Sequence, residues 1–330
     1  MKVLITGVTG FIGSHLINRL INDGRYTLAG MARSKEKCRD LAAKGVEIRC
    51  ADLVDPNSIK GITQGIDVVI HLAAMMRFHA PWVELHRHNV DGTKVLAEDA
   101  LIHHVKHFIY VSTTETIGPV TNPPGDENSP YNPTYDYGRT KMESELWLQQ
   151  QYQEKGFPIT IIRPTGVLGP GDHYVSLSTI RAIAQGKLSM MPGKADKYVH
   201  FTYVDDVVEG ILKVLDNPGV SIGETFIIAG DQYVTYKDQL AMIAKLTGVQ
   251  LPKRSVPIVL AKMYVKMIEW RNKRKGIDDF FWHTSLVNDM TVHRAYSNAK
   301  AKKILGFRPR FTLERGLEKT IQYYKEQHLI

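Results

Sequence analysis

The first thirteen residues constrain the fold more than any other part of the chain. Lys2–Thr6 is a short apolar run, and Thr6-Gly7-Val8-Thr9-Gly10-Phe11-Ile12-Gly13 follows it directly. Three glycines between a strand and an amphipathic helix answer three separate needs. Gly7 permits a tight turn, Gly10 lets the backbone approach a pyrophosphate, and Gly13 lets the helix lie close to the strand. A pyrophosphate then rests on unpaired amides at the positive end of the helix dipole. A chain that opens this way is committed to a strand–turn–helix unit.

The same alternation continues through the first half. Tyr26–Met31, Val46–Cys50, Asp67–His71, His107–Val111 and Ile159–Arg163 read as further buried strands. Stretches with helical spacing, such as Val83–Ala100, separate them. The expected fold is α/β, a Rossmann-type doubly wound parallel sheet covered on both faces, with ligands at the carboxyl ends of the strands. Residues 1–165 form the expected dinucleotide-binding domain, and 166–330 mainly a smaller substrate-side domain. The proline-rich loop from Gly118 to Pro133 reads equally as a lid or as a plain surface connection.

Bulk properties narrow the class. At 330 residues with 43% hydrophobic and 23% charged content, one large or two intimate packed domains are expected. The net charge of +8 is mostly interspersed with acids, apart from Arg271-Asn272-Lys273-Arg274-Lys275. No basic-aromatic pattern of a nucleic-acid module is present, so a small-molecule partner is expected and nucleic acid is not. Cys38 and Cys50 imply no disulfide framework, and Cys50, ending an apolar run, reads as a buried free thiol. The N-terminal apolar run is too short for a secretory signal, and no uncharged run reaches the roughly 18 residues of a membrane span. A cytoplasmic protein without a metal site is the expectation.

Tyr137-Gly138-Arg139-Thr140-Lys141 places a phenol and an amine four residues apart, on one helical face. A phenol with pKa near 10 is a poor base at neutral pH, and a nearby ammonium can lower it by about one to three units. Tyr137 then exchanges a proton with an alcohol or a carbonyl. Tyr131 and Tyr135 lack a lysine four residues on.

The T-G-x-x-G-x-x-G spacing resembles the short-chain dehydrogenase/reductase superfamily, in its extended form, the NAD-dependent epimerase/dehydratase family. Several segments extend the resemblance: Asp52-Leu53, His71-Leu72-Ala73-Ala74, Asn89-Val90-Asp91-Gly92-Thr93, Arg163-Pro164-Thr165-Gly166-Val167, His200 to Val207 and Ser297 to Pro309. The resemblance implies that Gly7, Gly10, Phe11, Ile12, Gly13, Asp52, Leu53, Leu72, Ala73, Ala74, Pro164 and Val167 line the cofactor. It also implies that Tyr137 and Lys141 meet the nicotinamide end, Lys141 bonding the ribose. Val111-Ser112-Thr113-Thr114-Glu115-Thr116-Ile117-Gly118 matches the family's fifth-strand motif and selects Thr113 to hold the substrate oxygen, with Thr114 as fallback. Asn89 organises the active-site end or simply packs its helix. A segment near 199–230 is expected to return to the sheet, and a homodimer is an option by the same analogy.

The second strand ends Gly30-Met31-Ala32-Arg33-Ser34-Lys35, without the acid that grips a ribose 2′-hydroxyl. Arg33 is suited to a 2′-phosphate, which favours NADP over NAD.

Departures from the motifs separate branches. Sugar-nucleotide dehydratases carry Thr-Asp-Glu where this chain has Thr113-Thr114-Glu115. Val199 stands where their relatives carry an arginine for the diphosphate, an anchor worth about 1.5–3 kcal/mol. The local pattern is nearer the 3β-hydroxysteroid and dihydroflavonol-reductase-like branch. A secondary alcohol or ketone of a lipophilic, steroid- or flavonoid-like compound is the leading expectation. A nucleotide-sugar epimerase with tightly held NAD is the alternative, and a non-catalytic nicotinamide sensor stands behind both. Glu115 reads as an exposed loop residue more readily than as a catalytic one. Residues 256–275 read first as a packed helix with a solvated lysine edge. The second reading is a helix bordering a lipophilic pocket or touching a membrane surface.

Overall fold

The computed structural model describes residues 1–77, 80–277 and 279–330. Seven strands form the central sheet: β1 (Lys2–Thr6), β2 (Thr27–Ala32), β3 (Glu47–Cys50), β4 (Val68–His71), β5 (His107–Val111), β6 (Ile159–Pro164) and β7 (Thr225–Ile228). Their spatial order is β7-β6-β5-β4-β1-β2-β3, and every pairing is parallel. The order reverses between β1 and β4, which opens a crevice at the carboxyl ends of those strands.

The principal helices are α1 (Phe11–Asp23), α2 (Gly92–Ile102), α3 (Asp136–Lys155), α4 (Val175–Ala184), α5 (Val204–Asp216), α6 (Tyr236–Thr247), α7 (Ile258–Arg274) and α8 (Leu313–Glu326). Leu16, Ile17 and Leu20 of α1 join Val207 and Ile211 of α5 over one face of the sheet. Leu96 and Ala97 of α2 join Leu148 of α3 over the other. With both faces covered, central strands must be apolar throughout, and Ile5, Val69 and Ile109 are fully buried. Each such side chain contributes about 1.5–3 kcal/mol by leaving water.

The edge strand departs from expectation. Cys50, at the end of β3, is exposed, whereas Cys38 is buried. β3 has one neighbour, and the short helix before it (Arg39–Ala43) buries none of its own residues. An apolar run there does not guarantee a covered side chain.

A third core lies over the crevice. Leu177 and Ile180 of α4, Tyr236 and Leu240 of α6, Leu317 and Ile321 of α8, and Phe280 pack together. The loop after Gly118 is strapped to the body by main-chain bonds: Val120 donates to His293 O at 2.8 Å, Gly125 to Ala295 O at 2.9 Å, and Ser297 to Gly125 O at 2.7 Å. Among the described residues no helix is long and apolar enough to cross a membrane.

Candidate active site

The glycine turn has the geometry its sequence requires. Gly7 has φ +68°, and a Cβ on Gly13 would lie 2.1 Å from the Gly7 carbonyl oxygen. Gly10 caps α1 without a side-chain hydrogen bond, and the first turn carries no acid, so its amides remain available to an anion. These features fit a dinucleotide pyrophosphate. Phe11 and Ile12 project from the same turn into the adjoining cavity.

A buried chain of hydrogen bonds fixes the next loop against this turn. The Thr6 hydroxyl accepts from the Leu72 and Ala73 amides at 3.2 and 3.1 Å, leaving its hydrogen for His71 Nδ1 at 2.7 Å. His71 Nε2 then donates to Thr93 Oγ1 at 3.0 Å, and Thr93 donates to the Asn89 carbonyl at 2.6 Å. Burial pushes His71 down to about 3, so the ring is neutral and the relay carries no charge. Leu72 and Ala73 are half-buried and Ala74 is exposed.

At the adenine side Leu53 is buried beneath Gly92, and the Asp52 carboxylate accepts from the Val54 amide at 3.2 Å. Arg33 is exposed one residue past β2. His88, pushed down chiefly by burial, lies within electrostatic reach of both Asp52 and Arg33, so the three share one corner.

Tyr137 and Lys141 lie in the first two turns of α3. Lys141 Nζ donates to the Val111 carbonyl at 2.8 Å and sits 4.0 Å above the centre of the Tyr110 ring. Burial pushes its pKa down to about 7, against the pull of Glu145. Tyr137 is half-buried, and desolvation of its phenol together with Glu115 drives it well above the usual range. Burial and Glu115 thus both act against the lowering expected from Lys141 and an oxidised nicotinamide. The lysine charge is itself discouraged by burial, and Glu115 opposes phenolate formation.

Asn89 fixes the helix that carries the pair. Within a single π-helical turn (Arg87–Asp91), its amide nitrogen donates to Met75 O and to Thr140 Oγ1, each at 3.0 Å. Its oxygen accepts from Met75 N at 2.8 Å, which joins the loop after β4 to α3. Thr113 caps the turn after β5, its hydroxyl accepting from the Glu115 amide at 3.2 Å. Tyr137, Thr113, Pro164 and Val167 meet on the wall of one cavity of about 250 Å³. The buried hydroxyls of Ser112 and Ser176 also face this wall, without a hydrogen-bond partner among the described residues.

Two arginines behave differently from a sequence reading. Arg163, in the segment expected beside the nicotinamide, turns away and binds Glu145 at 2.6 Å. Pro164 alone of that dipeptide reaches the cavity. Arg294 was not singled out by any motif, yet it forms a cluster on the cavity wall. Its Nη1 donates to Glu115 Oε2 at 2.6 Å, its Nη2 to Thr134 Oγ1 at 2.7 Å, and its Nε lies 2.9 Å from Asp289 Oδ1. Tyr135 donates its one hydroxyl hydrogen to the same Asp289 carboxylate, with Ser285 O 3.2 Å from the hydroxyl oxygen. Glu115 is thus a paired cavity residue, not an exposed loop acid. Burial pushes Asp289 up to about 7; Arg294 opposes this and Glu115 adds to it.

Comparison with known proteins places these residues in a wider group. Residues 3–229 match the NAD dependent epimerase/dehydratase family. Human dTDP-D-glucose 4,6-dehydratase is 29% identical over 345 aligned residues, covering 98% of this chain and 90% of that protein. Sterol demethylase protein B of Methylococcus capsulatus is 31% identical over 266, covering 78% of each. The dTDP-glucose 4,6-dehydratase of Streptomyces venezuelae, solved with NAD bound, superposes with a TM-score of 0.78 at 22% identity, covering 99% of this chain and 98% of that one, a likeness of fold.

Proposed function

Because the chain belongs to the NAD-dependent epimerase/dehydratase family, we propose that it interconverts a secondary alcohol and a ketone on a lipophilic, sterol-like small molecule. The observation that carries this reading is the character of the cavity. Val199, Leu240, Ile243, Phe280, Phe281 and Leu286 wall it, and Tyr137 and Thr113 supply polar groups on the same wall. An apolar body with one oxygen suits such a site. Arg294 also faces it, but its charge is already paired with Glu115 and Asp289, and its Nη2 donates to Thr134. A sugar diphosphate would have to displace a carboxylate to use it, and Val199 adds no charge.

The turn at Gly7, Gly10 and Gly13 and the first amides of α1 would hold the pyrophosphate of NAD(P). Leu53, Leu72, Ala73, Pro164 and Val167 would line its remaining length, and Lys141 would bond the ribose. Arg33 is suited to a 2′-phosphate and favours NADP. The nicotinamide, when bound, accepts or delivers the hydride. Every proton is left to the chain. Burial keeps Tyr137 protonated at neutral pH, which readies it to donate to a ketone oxygen that Thr113 orients. In the reverse direction Tyr137 must first give up its proton; the resulting phenolate, offset by a charged Lys141, then takes the alcohol proton.

The test is a panel of sterol-like ketones and alcohols, and of sugar nucleotides, followed by absorbance of the reduced nicotinamide with each cofactor. Net oxidation or reduction of a lipophilic substrate, with the lower KM for NADP, is expected. Conversion of a sugar nucleotide without net redox change would sink the reading. Tyr137→Phe should lose about 10²- to 10⁴-fold in kcat while still binding cofactor.

A further inference from the structure

Helix α7 has two apolar faces, and only one is covered. Ala261 and Val265 pack inward against Val287 and Trp282, and Ile268 is buried on the same face. At 100° per residue, Val259, Leu260, Met263, Met267 and Trp270 form a strip on the opposite side. Each of these five is more than half exposed, Met263 at 64% and Trp270 at 55%. The solvated lysine edge expected from sequence is therefore only a border. Lys262, Lys266 and Lys273 run along one side of the apolar strip and Arg271 along the other. From 262 to 275 there are six cations and one acid, Glu269. That acid faces inward, where it accepts from the Thr284 amide at 3.0 Å and pairs with His283. Arg274 lies 3.8 Å from the centre of the Trp270 ring, which keeps an aromatic and a cation together at the rim.

We propose that α7 rests in the plane of an anionic lipid bilayer surface, with Leu260, Met263, Met267 and Trp270 in the interface. An apolar strip bordered by lysines and arginines is the pattern that buries in the acyl boundary while its cations meet lipid phosphates. Charge complementarity selects this occupant over a second copy, since two such faces brought together would oppose their cations. An uncharged protein groove would leave the lysine borders without a partner. The position also suits the site: Phe280, Phe281 and Leu286, on the cavity wall, lie just after α7, and Trp282 stacks edge-on with Tyr264 of α7 at 6.1 Å. The docking proposal itself rests on the helix alone and stands whether or not the proposed reaction does.

The full chain is mixed with vesicles of phosphatidylcholine alone or with added phosphatidylserine, then floated on a density gradient. Binding to the anionic vesicles should exceed binding to the neutral ones by at least about tenfold and weaken in high salt. Met263→Asp with Met267→Asp, and separately Lys262→Glu with Lys266→Glu, should each reduce it by about tenfold or more. All four side chains lie off the packed face, so circular dichroism and thermal melting of both variants should match the parent. A blue shift of tryptophan fluorescence on vesicle addition should disappear in Trp270→Phe. Equal binding to both vesicle types, or unchanged binding of either double variant, overturns the proposal. So does a concentration-dependent dimer that the Met263→Asp, Met267→Asp variant abolishes in the absence of vesicle binding. Turnover of a water-soluble substrate should be unaffected in either double variant, so loss of docking and failure of the reaction reading are separable.

Discussion

Two arginine–carboxylate–tyrosine clusters contact α3 or the residues just before it, and they differ in one charge and in access. The first joins Arg163, Glu145 and Tyr131, whose hydroxyl donates to Glu145 at 2.8 Å. It is sealed, with the two charged side chains 3% and 0% exposed, and its formal charges cancel. The second joins Arg294, Glu115, Asp289 and Tyr135 on the cavity wall. It holds two carboxylates against one guanidinium. The balanced cluster is out of reach of ligand, and it bears on the site through Glu145, which favours the charge of the buried Lys141. An unbalanced one at the cavity must place its surplus somewhere, and Asp289 and Tyr137, both pushed upward, are where it falls.

The sharpest way to break the contrast is to remove each arginine. Arg163→Met should cost about 3–5 kcal/mol, because it leaves Glu145 buried without its partner. Thermal melting reads this as a large fall in Tm. In the remaining folded enzyme Glu145, no longer offset by Arg163, should favour the Lys141 charge more strongly and carry the Lys141-dependent limb of kcat/KM to higher pH. An unmoved pH profile would show that the sealed cluster does not reach the chemistry.

Arg294→Met should cost less, about 1–3 kcal/mol, because Asp289 can take up a proton in place of its lost cation. The sign follows from linkage. The carboxyl of Asp289 is held up to about 7 when folded and titrates near 3.9 when unfolded, so the folded state binds more protons between those values. Its contribution to stability is therefore present in acid and is lost as pH rises through about 7. Without Arg294 the carboxyl is held higher still, so the variant's deficit relative to the parent should grow with pH. Chemical denaturation at several pH values checks this; a deficit independent of pH would contradict it.

What the sequence disclosed and what it hid divide along chain distance. The glycine turn, six strands and the Tyr137–Lys141 spacing are local patterns, each set by a backbone conformation or a helical period. Arg294 meets Glu115 across 179 residues and Tyr135 meets Asp289 across 154, and no periodicity connects them. Tyr131 and Tyr135 look inert by spacing, since neither has a lysine four residues on, yet each anchors one cluster. Arg163 sits in a cofactor-side motif, but its side chain is claimed by Glu145 from α3. For α7 the helical period marks apolar faces without saying which one the tertiary fold covers. Cys50 fails for the related reason that an edge strand and a central strand share a pattern.

The smallest expected effect is the most direct test of how the open cluster bears on the reaction. Glu115 raises the Tyr137 phenol, second only to burial, and its side chain is 29% exposed. Glu115→Gln keeps an acceptor for Arg294 and removes one negative charge. Tyr137 should then ionise more readily, so the rising limb of kcat/KM for alcohol oxidation moves to lower pH. The displacement should be less than about one pH unit, because a charge at a partly solvated cavity wall is well screened. Ketone reduction needs the protonated phenol and should lose activity at correspondingly lower pH. Opposite shifts, or a shift in only one direction of the reaction, would mean that a group other than Tyr137 sets the profile. The same measurement on Glu145→Gln, from the sealed cluster, should act through Lys141 instead: its charge loses the support of that carboxylate, so any displacement should run opposite to that of Glu115→Gln.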